Sequence, residues 1–335
     1  MISIDGSKGE GGGQVLRTSI GLSLVTGRPF QIKNIRGKRK RPGLLRQHLT
    51  AVLAAVEIGG ARVHGAEIKS DSLQFEPGVI KAGEYHFAIG TAGSCTLVFQ
   101  AVMPALLKAG GVSSITLEGG THNPFAPSFD YLAKTFFPVL RKMGVNIEAE
   151  LIQPGFYPAG GGKIRITIEP PGKLSPVVFE KLSGARCLAK AVCAGLPDHI
   201  GVRELATIKK KLKLGEEETE LIRYSEHGPG NVVSIFVKSE QLTETFVGFG
   251  QKNIRAERVA SRIVGQVRKY LEVGVIVGPY LADQLLIPLA LAGKGKFLTC
   301  KPTEHTLTNI KVIQQFLDVG ISVSRTTDKI WQISL

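Results

Sequence analysis

Acidic residues are in short supply: 28 Asp and Glu face 42 Lys and Arg across 335 residues, a formal net charge of +14. Such an excess of base favours polyanionic partners, meaning nucleic acid, nucleotides or phosphorylated metabolites, and it names no activity. Cysteine is scarcer still. Cys95, Cys187, Cys193 and Cys300 form no C-x-x-C pair, which argues against a zinc site or a disulfide scaffold and for a reducing, cytoplasmic setting. The opening MISIDGSKGEGGG lacks a basic segment followed by an apolar run, so no signal peptide is expected. Long apolar runs are missing as well. The richest, 273–293, is broken by Pro279, Asp283, Gln284 and Pro288, whereas a membrane span needs about 20 mostly apolar residues. A soluble protein with no membrane partner is expected.

Glycine, by contrast, is plentiful. Its 40 residues show no G-X-Y period, which excludes collagen and predicts tight turns or loops that approach phosphates closely. A hydrophobic content of 43% with 21% charged residues excludes wholesale disorder. The length suits two domains of roughly 100–200 residues each.

Periodicity predicts an α/β (α+β) fold with an internal repeat. Helix 14–26, strand 30–35, helix 43–58 and strands 61–68 and 73–80 form a first unit. Helix 94–108, strand 114–118, helix 128–143 and strands 145–151 and 163–169 form a second. Helix 281–292, strand 296–300, helix 306–319 and strands 321–325 and 329–335 form a third. Three βαβαββ units of roughly eighty residues are therefore expected. The intervening segment breaks the register, with helices 201–211 and 256–270 and strands 188–193, 231–238 and 244–249. Loops that long are uncommon inside a compact domain, so it reads as an insertion. The expected division is a large domain of 1–180 and 277–335 with a small inserted domain of 181–276.

Three segments carry candidate chemistry. Gly9-Glu10-Gly11-Gly12-Gly13-Gln14-Val15-Leu16-Arg17 is a glycine-rich turn running into a helix, a combination that offers backbone N–H groups to an anion. It matches neither G-x-x-x-x-G-K-[ST] nor G-x-G-x-x-G, and a carboxylate at Glu10 repels phosphate unless a metal ion bridges them. A tight turn with an exposed Glu explains it equally well. Arg36 to Arg41 packs five cations into six residues at a strand-to-helix junction. Charge runs are commonly solvated faces, but arginine's planar fork suits terminal phosphate oxygens. Lys301-Pro302-Thr303-Glu304-His305-Thr306-Leu307-Thr308-Asn309 puts His305 at a helix start, where the positive end disfavours imidazolium and attracts phosphate. A neutral histidine beside bound phosphate could attack it. Taken singly, such a histidine is more often structural. His48, His64, His86, His199 and His227 have no metal-ligand spacing and read as structural.

In combination these motifs match a family. The chain resembles the RNA 3′-terminal phosphate cyclases from end to end, through G-E-G-G-G-Q-V-L-R, I-R-G-K-R with P-G-L-L-R-Q-H-L, A-G-S-C-T-L-V-F-Q, G-F-Y-P-A-G-G-G, Y-L-A-D-Q-L and E-H-x-x-T-N. The resemblance implies a large domain of three repeats similar to the C-terminal domain of a bacterial translation initiation factor. It also implies an inserted domain of thioredoxin-like topology. It implies conversion of an RNA 3′-phosphate to a 2′,3′-cyclic phosphate with ATP as co-substrate and Mg2+ or Mn2+, through a histidine–AMP intermediate and an RNA-adenylate. The implied partners are ATP and RNA with a 3′-phosphate end. A dimer is one oligomeric state left open.

On this likeness His305 corresponds to the nucleophile and Glu10 to the metal-associated glutamate. Gln100, Pro127, Tyr280, Leu281, Ala282, Asp283 and Gln284 correspond to adenylate-binding positions. Arg17, Arg36 and Arg39 correspond to positions that handle phosphate. The rival readings are a cyclase-like nucleolar protein of ribosome assembly, which lacks the histidine, and an enolpyruvyl transferase built from similar repeats.

Overall fold

Left-handed glycines close the first helices: α1 (Gly13–Thr26) stops at Gly27, φ 68°, and α2 (Arg46–Gly59) at Gly60, φ 52°. Both stops fall where the sequence predicts them, because a residue without Cβ adopts that conformation at little cost. The start of α2 differs. The expected helix opened at residue 43, but Arg36 and Gly43 both take positive φ, and the chain turns until Arg46.

The computed structural model describes residues 1–225 and 228–335, so His227 lies outside the described residues. It is a mixed α/β molecule of four four-stranded sheets. Strands β1 (Ile2–Asp5), β2 (Phe30–Lys33), β3 (Arg62–His64) and β4 (Leu73–Glu76) pair in the order β1-β2-β4-β3. Strands β5 (Glu84–Ala88), β6 (Ser113–Gly119), β7 (Asn146–Gln153) and β8 (Gly162–Glu169) pair as β5-β6-β8-β7. In each sheet the first two strands are parallel and the remaining pairs antiparallel.

A third sheet begins with β9 (Val178–Phe179) and is then interrupted. The interruption contains β10 (Arg186–Ala194), β11 (Thr219–Tyr224), β12 (Gly230–Lys238) and β13 (Thr243–Phe249), which form their own sheet in the order β11-β10-β12-β13. Helices α6 (His199–Leu212) and α7 (Ala256–Val273) pack on it around a separate apolar cluster that includes Ile208, Val233, Ile235, Ile263 and Val267. The chain then returns through β14 (Lys296–Thr299), β15 (Ser322–Arg325) and β16 (Trp331–Ser334). These join β9 in the order β9-β14-β16-β15, with the same parallel and antiparallel pattern.

The remaining helices are α3 (Cys95–Leu106), α4 (Phe129–Tyr131), α5 (Phe137–Lys142), α8 (Pro279–Ala292) and α9 (Glu304–Phe316). A π turn, Leu132–Phe136, joins α4 to α5. It precedes Pro138, which has no N–H to donate to the preceding turn. One continuous core unites α1, α2, α3, α8 and α9 with the three similar sheets, and Phe30, Phe75 and Phe316 meet there ring to ring at 5.7 and 5.9 Å. Among the described residues no helix is long and apolar enough to cross a membrane. Strands β1, β5, β9 and β11 were not located by the periodic reading; β5 alternates poorly because most of its residues are exposed or half-buried.

Candidate active site where three helices begin

The first turns of α1, α8 and α9 converge, and their side chains are linked. Thr18 Oγ1 donates to Asn309 Oδ1 at 2.8 Å, which turns Asn309 Nδ2 toward Asp283 Oδ1 at 3.0 Å. Gln14 Nε2 donates to that same carboxylate oxygen at 2.6 Å. With its nitrogen so engaged, Gln14 presents Oε1 to His305 Nδ1 at 3.0 Å. An amide oxygen only accepts, so Nδ1 carries the ring proton and Nε2 keeps its lone pair. His305 is the second residue of α9, after the cap Thr303, whose Oγ1 accepts from Thr306 N at 3.2 Å.

The electrostatics agree with a neutral ring. Partial burial lowers the His305 pKa, Arg39 and Arg17 push the same way, and Asp283 opposes them. Burial raises the Asp283 carboxyl, against the attraction of His305 and the hydrogen bonds from Gln14 and Asn309. Arg17 is half-buried, and desolvation brings its pKa down to about 10, so it remains charged.

Glu10 is locked beneath the glycine turn. Gly9 and Gly11 take φ of 61° and 62°, and a Cβ on Gly9 would stand 2.2 Å from Thr308 Oγ1. The turn therefore lies directly on α9, where Glu10 N donates to Thr308 Oγ1 at 3.0 Å. Glu10 Oε2 accepts from Gly12 N at 2.8 Å, while Oε1 pairs with Arg39 and lies 3.5 Å from His305 Nε2. The exposed Glu that turn chemistry alone would produce is not what forms: its side chain is 7% exposed.

These groups open on a cavity of about 740 Å³. Gln100, Pro127, Tyr280, Asp283, Gln284, Arg17, Arg39 and His305 all reach its wall. Leu281 and Ala282 do not: they point into the core at 0% and 1% exposure. Arg36 is likewise outside the wall, and its Nη1 donates to the carbonyls of Arg41 and Gly43 at 2.6 and 2.9 Å, bracing the loop that carries Arg39. His48 lies under the glycine turn, beside Arg17. Burial, with Arg17 and Arg36 adding to it, pushes its pKa down to about 3.

Sequence reasoning missed one side of the cavity altogether. Thr245, Phe246, Val247 and Phe249 of β13 and Gln266 of α7 line it. Three buried polar contacts fix that side: Thr135 Oγ1 with Thr245 Oγ1 at 2.7 Å, the ion pair of Lys190 with Asp130, and Gly278 N donating to Glu244 Oε2 at 3.0 Å. Glu244 is fully buried, and desolvation pushes its pKa up to about 8 from an ordinary 4.5. A carboxyl raised in the fold contributes its full stability below its unfolded pKa, and the contribution is lost as pH rises through the folded value. Glu244→Gln keeps an acceptor for Gly278 and removes the titration. Between about pH 4.5 and about pH 8 wild type should therefore lose stability relative to the variant, by a few kcal/mol, and the difference should level off above that range. Thermal melts across that range check it, and parallel Tm curves would refute it.

A family model described as RNA 3′-terminal phosphate cyclase matches residues 8–323. The chain belongs to this family. Among curated RNA 3′-terminal phosphate cyclases, that of Pseudomonas fluorescens is 48% identical over 337 residues, covering 99% of this chain and 97% of the relative. That of Salmonella agona is 46% identical, covering 98% of this chain and 96% of the relative. That of Salmonella typhimurium is 47% identical, with coverages of 97% and 96%. The enolpyruvyl transferase NikO of Streptomyces tendae aligns over 99% of this chain and 48% of its own, with a TM-score of 0.39 and 10% identity, and carries no argument.

Proposed function

We propose that this cyclase-family chain uses ATP to convert an RNA 3′-terminal phosphate into a 2′,3′-cyclic phosphate, with His305 as the group that carries AMP. The observation that carries the reading is the Gln14 amide that holds the Nδ1 proton of His305 and leaves Nε2 free beside Arg17 and Arg39. Nε2 attacks the α-phosphorus of ATP, an N–P bond forms, and the bond to the bridging oxygen breaks with release of pyrophosphate. The positive charge that develops on the ring is met through Gln14 by Asp283. Arg17, Arg39 and the N-termini of α1 and α9 neutralise the phosphate oxygens. An oxygen of the RNA 3′-phosphate then takes AMP from the histidine. The adjacent 2′-hydroxyl then attacks the phosphorus of the RNA 3′-phosphate, its proton passes to water, the bond from that phosphorus to the AMP oxygen breaks, and AMP departs. Intramolecular attack can remove roughly 7–11 kcal/mol from the barrier.

The apolar and amide side chains of the cavity suit an adenosine. Tyr280 and Pro127 offer flat faces, and Gln284 Oε1 and the Tyr131 hydroxyl are buried without a hydrogen-bond partner among the described residues. Among the described residues no cluster of three or more His, Cys, Asp or Glu side chains could hold a metal ion. That fits a Mg2+ or Mn2+ held largely by the triphosphate and water, because Mg2+ commonly takes one or two carboxylates plus substrate phosphates. Glu10 Oε1, a hard oxygen buried beside the nucleophile, would hold it, and the ion would supply charge neutralisation to the phosphates.

The same reading takes residues 1–180 and 277–335 as one domain of three repeats and 181–276 as an inserted domain of thioredoxin-like topology. The strand order and direction shared by three sheets, and the separate apolar cluster of the fourth, support it. The test is incubation with ATP labelled at the α-phosphate, with magnesium or manganese, followed by a denaturing gel. A protein-bound label, labile to acid and stable to alkali, is expected. Folded protein that takes no label with either metal would overturn the proposal.

A further inference from the structure

The cavity receives only the reacting end of an RNA, and the rest of the strand must leave over the protein surface. One wall offers a path. Helix α7 buries Val259, Ile263, Val267 and Tyr270 against its sheet, which turns Arg255, Arg258, Arg262, Gln266 and Lys269 outward. At 3.6 residues per turn these five fall within an arc of ~80°. Gln266 belongs to the cavity wall. From that point Arg262, Arg258 and Arg255 follow toward the helix N-terminus, a line of guanidinium groups that begins at the cavity mouth.

Two observations separate this face from an ordinary solvated one. Among the described residues neither Arg258 nor Arg262 has an ion-pair partner, although Glu257 on the same helix is occupied by Arg203. Arg258 and Arg262 are also one turn apart, ~6 Å along the axis, a step close to that between successive phosphates of an extended strand. A paired or irregular set of charges would have neither property.

We propose that the outer face of α7 binds the phosphate backbone of the substrate RNA on the 5′ side of its reacting nucleotide, with Arg258 and Arg262 as the principal contacts. The proposal rests on the function given above and assigns the 181–276 segment a share in substrate binding. It commits to single-stranded RNA, since one row of cations one turn apart follows one backbone. Contacts of this kind are independent of sequence and weaken with salt.

The experiment compares wild type with Arg258→Glu/Arg262→Glu, using two fluorescent RNAs that end in a 3′-phosphate. One is a dinucleotide, and the other is a single strand long enough to reach Arg255. Fluorescence anisotropy should show roughly 10- to 100-fold weaker binding of the long RNA, and a log K against log salt slope shallower by about 1.4, for two lost phosphate contacts on a single strand. Binding of the dinucleotide should be unchanged, as should transfer of AMP from ATP to the protein. Arg258→Lys/Arg262→Lys should restore most of the affinity for the long RNA, which guards against a folding defect. Undiminished binding of the long strand would overturn the proposal, as would equal losses on both RNAs. Failure of the function itself reads differently: wild type would take no label from ATP, whatever the anisotropy shows.

Discussion

His305→Ala should transfer no AMP to protein and cyclise no RNA, while its melting temperature stays near that of wild type. The side chain is half exposed, so its removal should cost less than about 1 kcal/mol of stability. Its chemical cost should be total, because among the described residues that line the cavity His305 is the only histidine. The pH profile adds a check. With the His305 pKa held below its ordinary 6.5, labelling in wild type should remain flat down through that value and fall only in more acid solution. A variant that still takes label would move the nucleophile elsewhere, and a fall centred above 6.5 would contradict the neutral ring.

The second large effect belongs to Asp283, which does not touch the phosphate in this reading. Its Oδ1 receives both Gln14 Nε2 and Asn309 Nδ2, and so fixes which end of the Gln14 amide faces the histidine. In Asp283→Asn, the new amide can donate to Gln14 and turn it over. Gln14 would then offer N–H to Nδ1 and drive the ring proton onto Nε2, where it blocks attack. The charge that meets the developing imidazolium would be lost as well. By comparison with other carboxylates that hold a catalytic histidine in one tautomer, labelling at saturating ATP should slow by roughly 10²- to 10⁴-fold. Rates measured across ATP concentrations decide the matter. A change confined to KM would make Asp283 a nucleotide-binding group and would refute its action through Gln14.

Much of this was legible from the chain alone, for reasons that can be stated locally. Thr303 and Thr306 both offered a cap and placed the histidine at or just before a helix start; Thr303 is the cap that forms, so His305 falls inside the first turn. Glycine followed by a change of period marked the ends of α1 and α2. Residues 280–284 show the limit of a motif. Helical geometry sends Tyr280, Asp283 and Gln284 to one side and Leu281 and Ala282 to the other, and the motif alone does not say which side faces a ligand. The five clustered cations behaved similarly: Arg39 reaches the cavity, whereas Arg36 is spent on two carbonyls of its own loop. Gln14 stood in a candidate segment but received no role of its own, because its partners lie 269 and 291 residues away. The wall built by β13 and Gln266 was hidden for the same reason, since no local pattern reports what a strand will face after a long excursion of the chain.

That separation has a temporal consequence. Gln14 leaves the ribosome 291 residues before His305. A growing chain can fold its early sheets and still hold no group able to accept AMP. The nucleophile, its restraint and the carboxylate beneath them come together only when α9 docks on α1. On the proposed mechanism, chains that stop before α9 should therefore take no label from ATP, and the chemistry waits for the arrival of that helix.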